Sequence, residues 1–341
     1  MCNFFTIAIH RFVLSSIKLQ KSTKKTTDKF HILYCFFDLS FVRCERKYFY
    51  SKTMDIKTIA LIGVGKKGTS LARQLIERGF DVTLYDVNAT LLRRSVESIK
   101  NELRQSAQQR RITTEQMQEA LIHIKSKTSL PDVGSCDVII ETVPDNLQIK
   151  KDILKHLDNH AKNSSVICTT TSLFTVSSVA SLAKNFHRII GLHLFFPIES
   201  SQVIEVIPTL RTSKEAIEAA ISIARQLGKE PILSKDIPGF IIERARQAWF
   251  LEALRIVEDD VADHDQIDRL VTMNKLHPEG PFHQMDQQGL DHIFQESVQY
   301  FQQRFYDSRF LPSLLLQQMT ELGLLGKQSH QGFYSYEEEN Q

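Results

Sequence analysis

From Lys57 onward, short apolar runs rich in β-branched residues alternate with stretches whose apolar positions recur at helical spacing. The runs fall at residues 58–62, 82–85, 138–140, 166–168 and 189–194. Continuous apolar strands separated by helices predict a parallel, doubly wound α/β sheet. The stretch from residue 88 to about 122 is long for one crossover, and Thr113 with Gln116 makes a capping-box start for a second helix. A helical hairpin standing out from the sheet is therefore predicted. Residues 203–207 are a further strand candidate, after which the alternation ends. Beyond Asp236-Ile-Pro-Gly-Phe240 the residues Phe240, Ile241, Ala248, Leu251 and Leu254 lie near helical spacing, which predicts a second, all-helical domain. The chain thus divides into an extension at 1–53, a sheet domain at 54–236 and a helical domain at 237–341.

Charge changes the picture of the first segment. Residues 1–53 hold ten Lys and Arg against three Asp and Glu, or +7, while the rest of the chain sums to −5. The body has no overall positive field to draw in nucleic acid. The first segment has no Gly or Pro but eight of the 21 Phe, and Met54 stands just before the first well-patterned strand. Two readings compete: a mitochondrial targeting segment, or an upstream stretch outside the real protein. A single Arg in the first 27 residues favours the second and a cytoplasmic product. No apolar run reaches the roughly 18 to 20 residues needed to span a bilayer, so no membrane partner is expected. Cys2, Cys35, Cys44, Cys136 and Cys168 form no C-x-x-C pair and have no His at metal-ligand spacing; reduced thiols and no metal site are expected.

The candidate chemistry begins at Gly63-Val64-Gly65-Lys66-Lys67-Gly68, a G-x-G-x-x-G directly after a strand and at the start of a helical pattern. Gly63 permits the tight turn, Gly65 lets the backbone approach a pyrophosphate, and Gly68 allows helix and strand to pack closely. The helix N-terminus then offers free N–H groups and partial positive charge to phosphates. Glycine is scarce here, 13 in 341 residues, yet three fall within six positions. Asp86 ends the second strand, where a carboxylate accepts from both ribose hydroxyls and repels a 2′-phosphate; the pattern points to NAD rather than NADP. Lys66 and Lys67 are either solvated charges or extra phosphate contacts.

Further along stand Gly191-Leu-His193-Leu-Phe-Phe-Pro197, Val203-Ile-Glu205-Val-Ile207, Lys229 to Pro231, Asp236-Ile-Pro-Gly-Phe240, His277-Pro-Glu-Gly-Pro-Phe282, Gly289-Leu-Asp291 and Gly332-Phe-Tyr-Ser-Tyr336. In this order they resemble the 3-hydroxyacyl-CoA dehydrogenase family, from about Lys57 to Tyr336. The resemblance implies a Rossmann-like domain followed by a helical dimerisation domain, a homodimer, and oxidation of 3-hydroxyacyl-CoA by NAD in fatty-acid metabolism. It makes His193 the catalytic base, Glu205 its carboxylate partner and Ser172 a hydrogen-bonding partner of the substrate oxygen. Asp145 and Lys150 match the family's acidic and basic cofactor-side positions. The chemistry is coherent: loss of hydride from a secondary alcohol leaves a carbonyl only if the hydroxyl proton is also taken, and imidazole titrates near neutral pH.

The chain departs from the family pattern near the reacting centre. Phe196 and Glu243 stand where the family has asparagines, and Gln328 where it has a cofactor-side lysine. On the hairpin, Glu102 and Gln109 replace a serine and a lysine offered to CoA, with Arg104, Arg110 and Arg111 nearby. Losing one polar donor to a developing negative charge commonly costs about 3 to 4 kcal/mol. Two alternatives therefore stay open beside the acyl-CoA reading: a dehydrogenase of a non-CoA hydroxy acid, and an NAD-binding homologue with weak turnover.

Overall fold

The computed structural model describes residues 55–337; the extension and the two readings of it lie outside the described residues. The strands are β1 (Thr58–Ile62), β2 (Asp81–Tyr85), β3 (Ile124–Lys127), β4 (Val138–Glu141), β5 (Val166–Thr169), β6 (Ile189–Leu194), β7 (Val203–Pro208) and β8 (Glu230–Leu233). They form one sheet in the order β3-β2-β1-β4-β5-β6-β7-β8. The order reverses at β1, and the crevice above that reversal is where doubly wound sheets bind nucleotides.

Helices α1 (Lys66–Glu77), α2 (Ala89–Gln108), α3 (Thr114–Ile122), α4 (Leu147–His160), α5 (Val176–Val179) and α6 (Lys214–Gln226) accompany the sheet. Alternate strand residues feed opposite layers, as the two-residue strand period requires. Ile59 and Leu61 join Leu71, Leu75 and Ile76 of α1, whereas Ala60 and Ile62 join Leu154 and Leu157 of α4. The hairpin is present, and both capping-box bonds of Thr113 and Gln116 are made. It does not stand free of the sheet. Leu92, Ile99 and Leu103 of α2 form a helical stripe buried in the same core as α1, with Ala120 of α3 beside them.

One strand runs against the expected direction. β6 and β7 pair antiparallel, with His193 directly opposite Glu205. Only residues 195–202 join them, too few for the helical crossover that parallel neighbours need. This reversal faces the two candidate catalytic side chains across one strand pair.

The helical part comprises α7 (Ile242–Glu258), α8 (His264–Met273), α9 (Pro281–Gln288), α10 (Leu290–Gln303) and α11 (Leu314–Glu321). Its core gathers Phe250, Leu254, Phe282, Met285, Ile293 and Tyr300. Two buried aspartates organise the terminal motifs. Asp268 accepts from the Phe282 and His283 N–H groups and the Tyr334 hydroxyl, and Asp286 from the Phe333 and Tyr334 N–H groups and the Tyr336 hydroxyl. A Cβ on Gly280 or Gly332 would fall 2.1 Å from one of these carboxyl groups, which is why glycine occupies both sites.

Candidate active site

The glycine turn links β1 to α1 with the geometry that a nucleotide cradle needs. Gly63 has a φ of +96°, and a Cβ there would meet Val143 at 3.0 Å. A Cβ on Gly68 would sit 2.1 Å from the Gly63 carbonyl oxygen, so helix and strand approach as closely as backbone permits. Gly65 faces open space, with nothing within 4 Å of an added Cβ. Its backbone is thus accessible to a pyrophosphate at the N-terminus of α1. The Thr142 hydroxyl pins the turn by donating to the Gly63 carbonyl at 2.6 Å, a contact that the sequence pattern did not signal.

A cleft of about 500 Å³ opens beside the turn, lined by Gly63, Gly65, Lys66, Lys67, Asp86 and Asp145 among others. Asp86 accepts from the Val64 N–H at 3.0 Å and the Asn88 N–H at 2.9 Å, which fixes its carboxylate at the end of β2 against the glycine turn. Val64 is buried beneath the turn, so it contributes backbone rather than side chain. The open Gly65 backbone and the anchored Asp86 fit the pyrophosphate and ribose of a dinucleotide.

At the other end of the cleft, Asp145 accepts from both the backbone N–H and the hydroxyl of Ser172, each at 2.8 Å. Burial pushes the Asp145 carboxyl up, but Lys150, Ser172 and Thr171 more than offset it and hold it below its ordinary value. Lys150 departs from the expected cofactor-side placement. Its ammonium is buried, 2.8 Å from Glu141, 3.2 Å from the Val143 carbonyl and 3.5 Å from Asp145, and it does not line the cleft. Lys67 does. Burial lowers its ammonium below the ordinary lysine value, with Asp145 and Glu243 among the charges that partly resist the shift.

His193, the penultimate residue of β6, is 2% exposed, and its Nδ1 lies 2.6 Å from Glu205 Oε2. A carboxylate only accepts, so this contact places the ring hydrogen on Nδ1 and leaves Nε2 as the accepting nitrogen. Phe195 and Phe240 pack against the ring, at centroid distances of 4.7 and 5.6 Å. Glu205 Oε1 accepts the N–H groups of Ile241 and Ile242, at 2.9 and 3.3 Å, and so caps α7 from the neighbouring strand. The turn before α7 is shaped by Gly239, where a Cβ would fall 2.3 Å from the Tyr300 ring.

The two departures at the reacting centre fall differently. Glu243 Oε1 lies 3.8 Å from His193 Nε2, while Oε2 pairs with Arg246 at 2.5 Å. Phe196 is 59% exposed and flanks an outer compartment with Lys66, Ser70, Arg94, Glu102 and Glu199. Arg73 bridges Glu102 at 3.2 Å and Glu199 at 3.3 Å, tying the hairpin to the loop that follows His193. Arg104, Arg110, Arg111 and Gln109 do not line this compartment; the cations that do are Lys66 and Arg94. Gln328 donates to Asp291 in the helical part, at 2.8 Å. Arg94 and Arg246 escaped sequence reasoning because a lone Arg on an amphipathic helix reads as a solvated charge. Of the thiols, Cys136 and Cys168 are free and buried, and burial pushes Cys168 up to about 12, which removes it as a nucleophile. Among the described residues no cluster of His, Cys, Asp and Glu could hold a metal ion, and no helix is long and apolar enough to cross a membrane.

Comparison with known proteins agrees with this geometry. Residues 58–237 match the family model described as the 3-hydroxyacyl-CoA dehydrogenase NAD-binding domain, and residues 239–336 match the C-terminal domain of the same family. A probable 3-hydroxybutyryl-CoA dehydrogenase of Deinococcus radiodurans is 31% identical over 276 residues, covering 81% of this chain and 99% of that protein. The human mitochondrial hydroxyacyl-coenzyme A dehydrogenase is 29% identical over 292 residues, covering 84% of this chain and 93% of the relative. The crystal structure of (S)-3-hydroxybutyryl-CoA dehydrogenase from Ralstonia eutropha superposes with a TM-score of 0.79 at 28% identity, over 83% of this chain and all of the other.

Proposed function

The chain belongs to the 3-hydroxyacyl-CoA dehydrogenase family and is an NAD-dependent oxidoreductase; from that premise we propose that it interconverts 3-hydroxyacyl-CoA and 3-oxoacyl-CoA through His193. The observation that carries the assignment of the base is the buried His193–Glu205 contact of 2.6 Å, which leaves Nε2 as the free ring nitrogen. Bound NAD supplies the acceptor for the hydride that leaves C3. His193 Nε2 takes the hydroxyl proton, and Glu205 holds Nδ1–H and offsets the charge of the imidazolium. Ser172 holds the substrate oxygen; because its hydroxyl hydrogen goes to Asp145, it meets the substrate through a lone pair or after rotating. Gly63, Val64, Gly65, Lys66, Lys67, Gly68, Asp86 and Asp145 hold the cofactor, with Lys150 acting from beneath through Glu141, Val143 and Asp145.

The direct test follows NADH oxidation with acetoacetyl-CoA. Turnover dependent on the thioester is expected, and its absence at any concentration of acetoacetyl-CoA would sink the acyl-CoA assignment. One observation favours the non-CoA alternative: two carboxylates, Glu102 and Glu199, line the outer compartment. Arg73 partly neutralises both, and Lys66 with Arg94 leaves cations for a phosphate, so the acyl-CoA assignment is preferred. Free acetoacetate reduced as well as its CoA ester would reverse that preference.

The helical part is read as the surface of a homodimer. Val261, Leu270, Met273, Leu276 and Leu314 are large apolar residues exposed on it. Sedimentation is expected to give a particle of twice the chain mass, and a monomer at micromolar concentration would contradict the dimer. A cytoplasmic location is proposed on the reading that Met54 starts the mature protein. Mass spectrometry of the mature N-terminus tests it, and cleavage within residues 1–53 would point to the mitochondrial matrix instead.

A further inference from the structure

A buried base must discharge its proton after every oxidation, and the surroundings of His193 restrict how. Its side chain is 2% exposed, and Nδ1 is committed to Glu205. Glu205 has no spare oxygen facing outward: Oε2 takes the ring, Oε1 takes two backbone N–H groups of α7, and the residue is itself buried. Exit must therefore run from Nε2. Glu243 Oε1, at 3.8 Å, is the carboxylate oxygen placed to receive the proton, and its side chain is 16% exposed. Its other oxygen is anchored by Arg246, which also binds Glu296 at 3.0 Å and cannot accept a proton. Glu243 is thus held with one oxygen fixed and one turned toward the base.

We propose that Glu243 is a further catalytic residue, the acceptor that takes the proton from His193 Nε2 after alcohol oxidation and returns it for carbonyl reduction. In the outward step the Nε2–H bond breaks and an Oε1–H bond forms, the proton crossing the 3.8 Å gap through one bridging water, which leaves neutral imidazole and neutral carboxyl with no change in oxidation state. The groups facing Glu243 suit the task. Burial raises its carboxyl above the ordinary value, Arg246 and His193 pull it down without cancelling the rise, and Glu296 and Glu205 add to it. Lys67, across the cleft, adds an attractive charge from the N-terminus of α1. A carboxyl raised in this way lies nearer to imidazole in proton affinity than a solvated one, so transfer between the two is closer to balanced.

The inference rests on the dehydrogenase assignment and is tested on the full chain with acetoacetyl-CoA and NADH. Glu243→Gln keeps the shape and removes the acceptor. Its kcat is expected to fall by about tenfold or more with KM little changed, and added imidazole buffer is expected to restore the rate in a concentration-dependent way. Wild-type turnover is expected to ignore the buffer. Unchanged NADH affinity checks that the variant folds. Should the Gln variant fail to bind NADH, Glu243→Asp, whose shorter side chain widens the gap to Nε2, is expected to be slower than wild type and rescued by imidazole. A Gln variant as fast as wild type, a loss that imidazole does not relieve, or an Asp variant at the wild-type rate without buffer response overturns the relay while the dehydrogenase assignment stands. No wild-type turnover of either acetoacetyl-CoA or free acetoacetate removes both.

Discussion

Replacing His193 by glutamine is expected to lower kcat/KM for acetoacetyl-CoA reduction by between about a hundredfold and ten-thousandfold, the range that removal of a positioned general acid or base produces. NADH affinity should change by less than about twofold. The separation follows from where the side chain sits. His193 is bonded to Glu205, but Glu205 remains held by the Ile241 and Ile242 N–H groups when the ring is gone, so the cap on α7 survives. Glutamine can still donate one hydrogen bond to Oε2 and avoids leaving the buried carboxylate bare. The cofactor cleft is built from other elements, chiefly the β1–α1 turn, the end of β2 and Asp145. Steady-state kinetics paired with a fluorescence titration of NADH measures both quantities. A fall of less than tenfold in kcat/KM would remove His193 from the chemistry.

The parts of this site that could be read from the sequence share a physical property: each is enforced locally. The glycine turn is legible because Gly63 requires a left-handed φ and Gly68 has no room for a Cβ, so residue type reports geometry directly. The capping box of α3 is legible for the same reason, since its donors and acceptors lie three residues apart. The missed elements are set by distant neighbours. β3, Ile-Lys-Ser-Lys, is an edge strand with one partly buried residue and three exposed ones, so it carries almost no apolar signal. β8 is the opposite edge and contains Pro231, which a central strand would not tolerate. The direction of β7 depends on the length of the loop before it rather than on its own composition.

The candidate catalytic pair depends on that direction. Glu205 flanked by Val203, Ile204, Val206 and Ile207 reads equally well as an outward strand residue, and nothing in its own segment says that it faces His193. The antiparallel register does. The departures behave in the same way: from the sequence Glu243 reads only as the loss of an amide near the reacting centre, because Arg246 and its partner Glu296 on a different helix cannot be placed beside it. Once they are placed, the carboxylate is a held group rather than a stray one, and the Phe196 ring lies at the rim of the site, mostly exposed.

Removal of the Lys150 ammonium is expected to cost stability rather than cofactor contact. Lys150→Met should destabilise the fold by about 3 to 5 kcal/mol, the usual consequence of stranding one member of a buried ion pair. Lys150 and Glu141 are 1% and 0% exposed, and the glutamate would keep only its bonds from the Val143 N–H and the Thr169 hydroxyl. The double variant Lys150→Met/Glu141→Leu should recover part of the loss, because it no longer leaves a bare carboxylate in the interior. The Val143 N–H, the Val143 carbonyl and the Thr169 hydroxyl then each lose a partner, at about 1 to 3 kcal/mol for each group left unpaired, so the recovery should be incomplete. Denaturant unfolding of the three proteins reads these differences. NADH affinity reads the other half: without Lys150 the Asp145 carboxyl loses the first of the groups that hold it low, and a modest weakening of a few-fold is expected through that route. A loss of more than about tenfold in the well-folded double variant would instead return Lys150 to direct contact with the cofactor, the role that its position in the sequence suggested and its burial argues against.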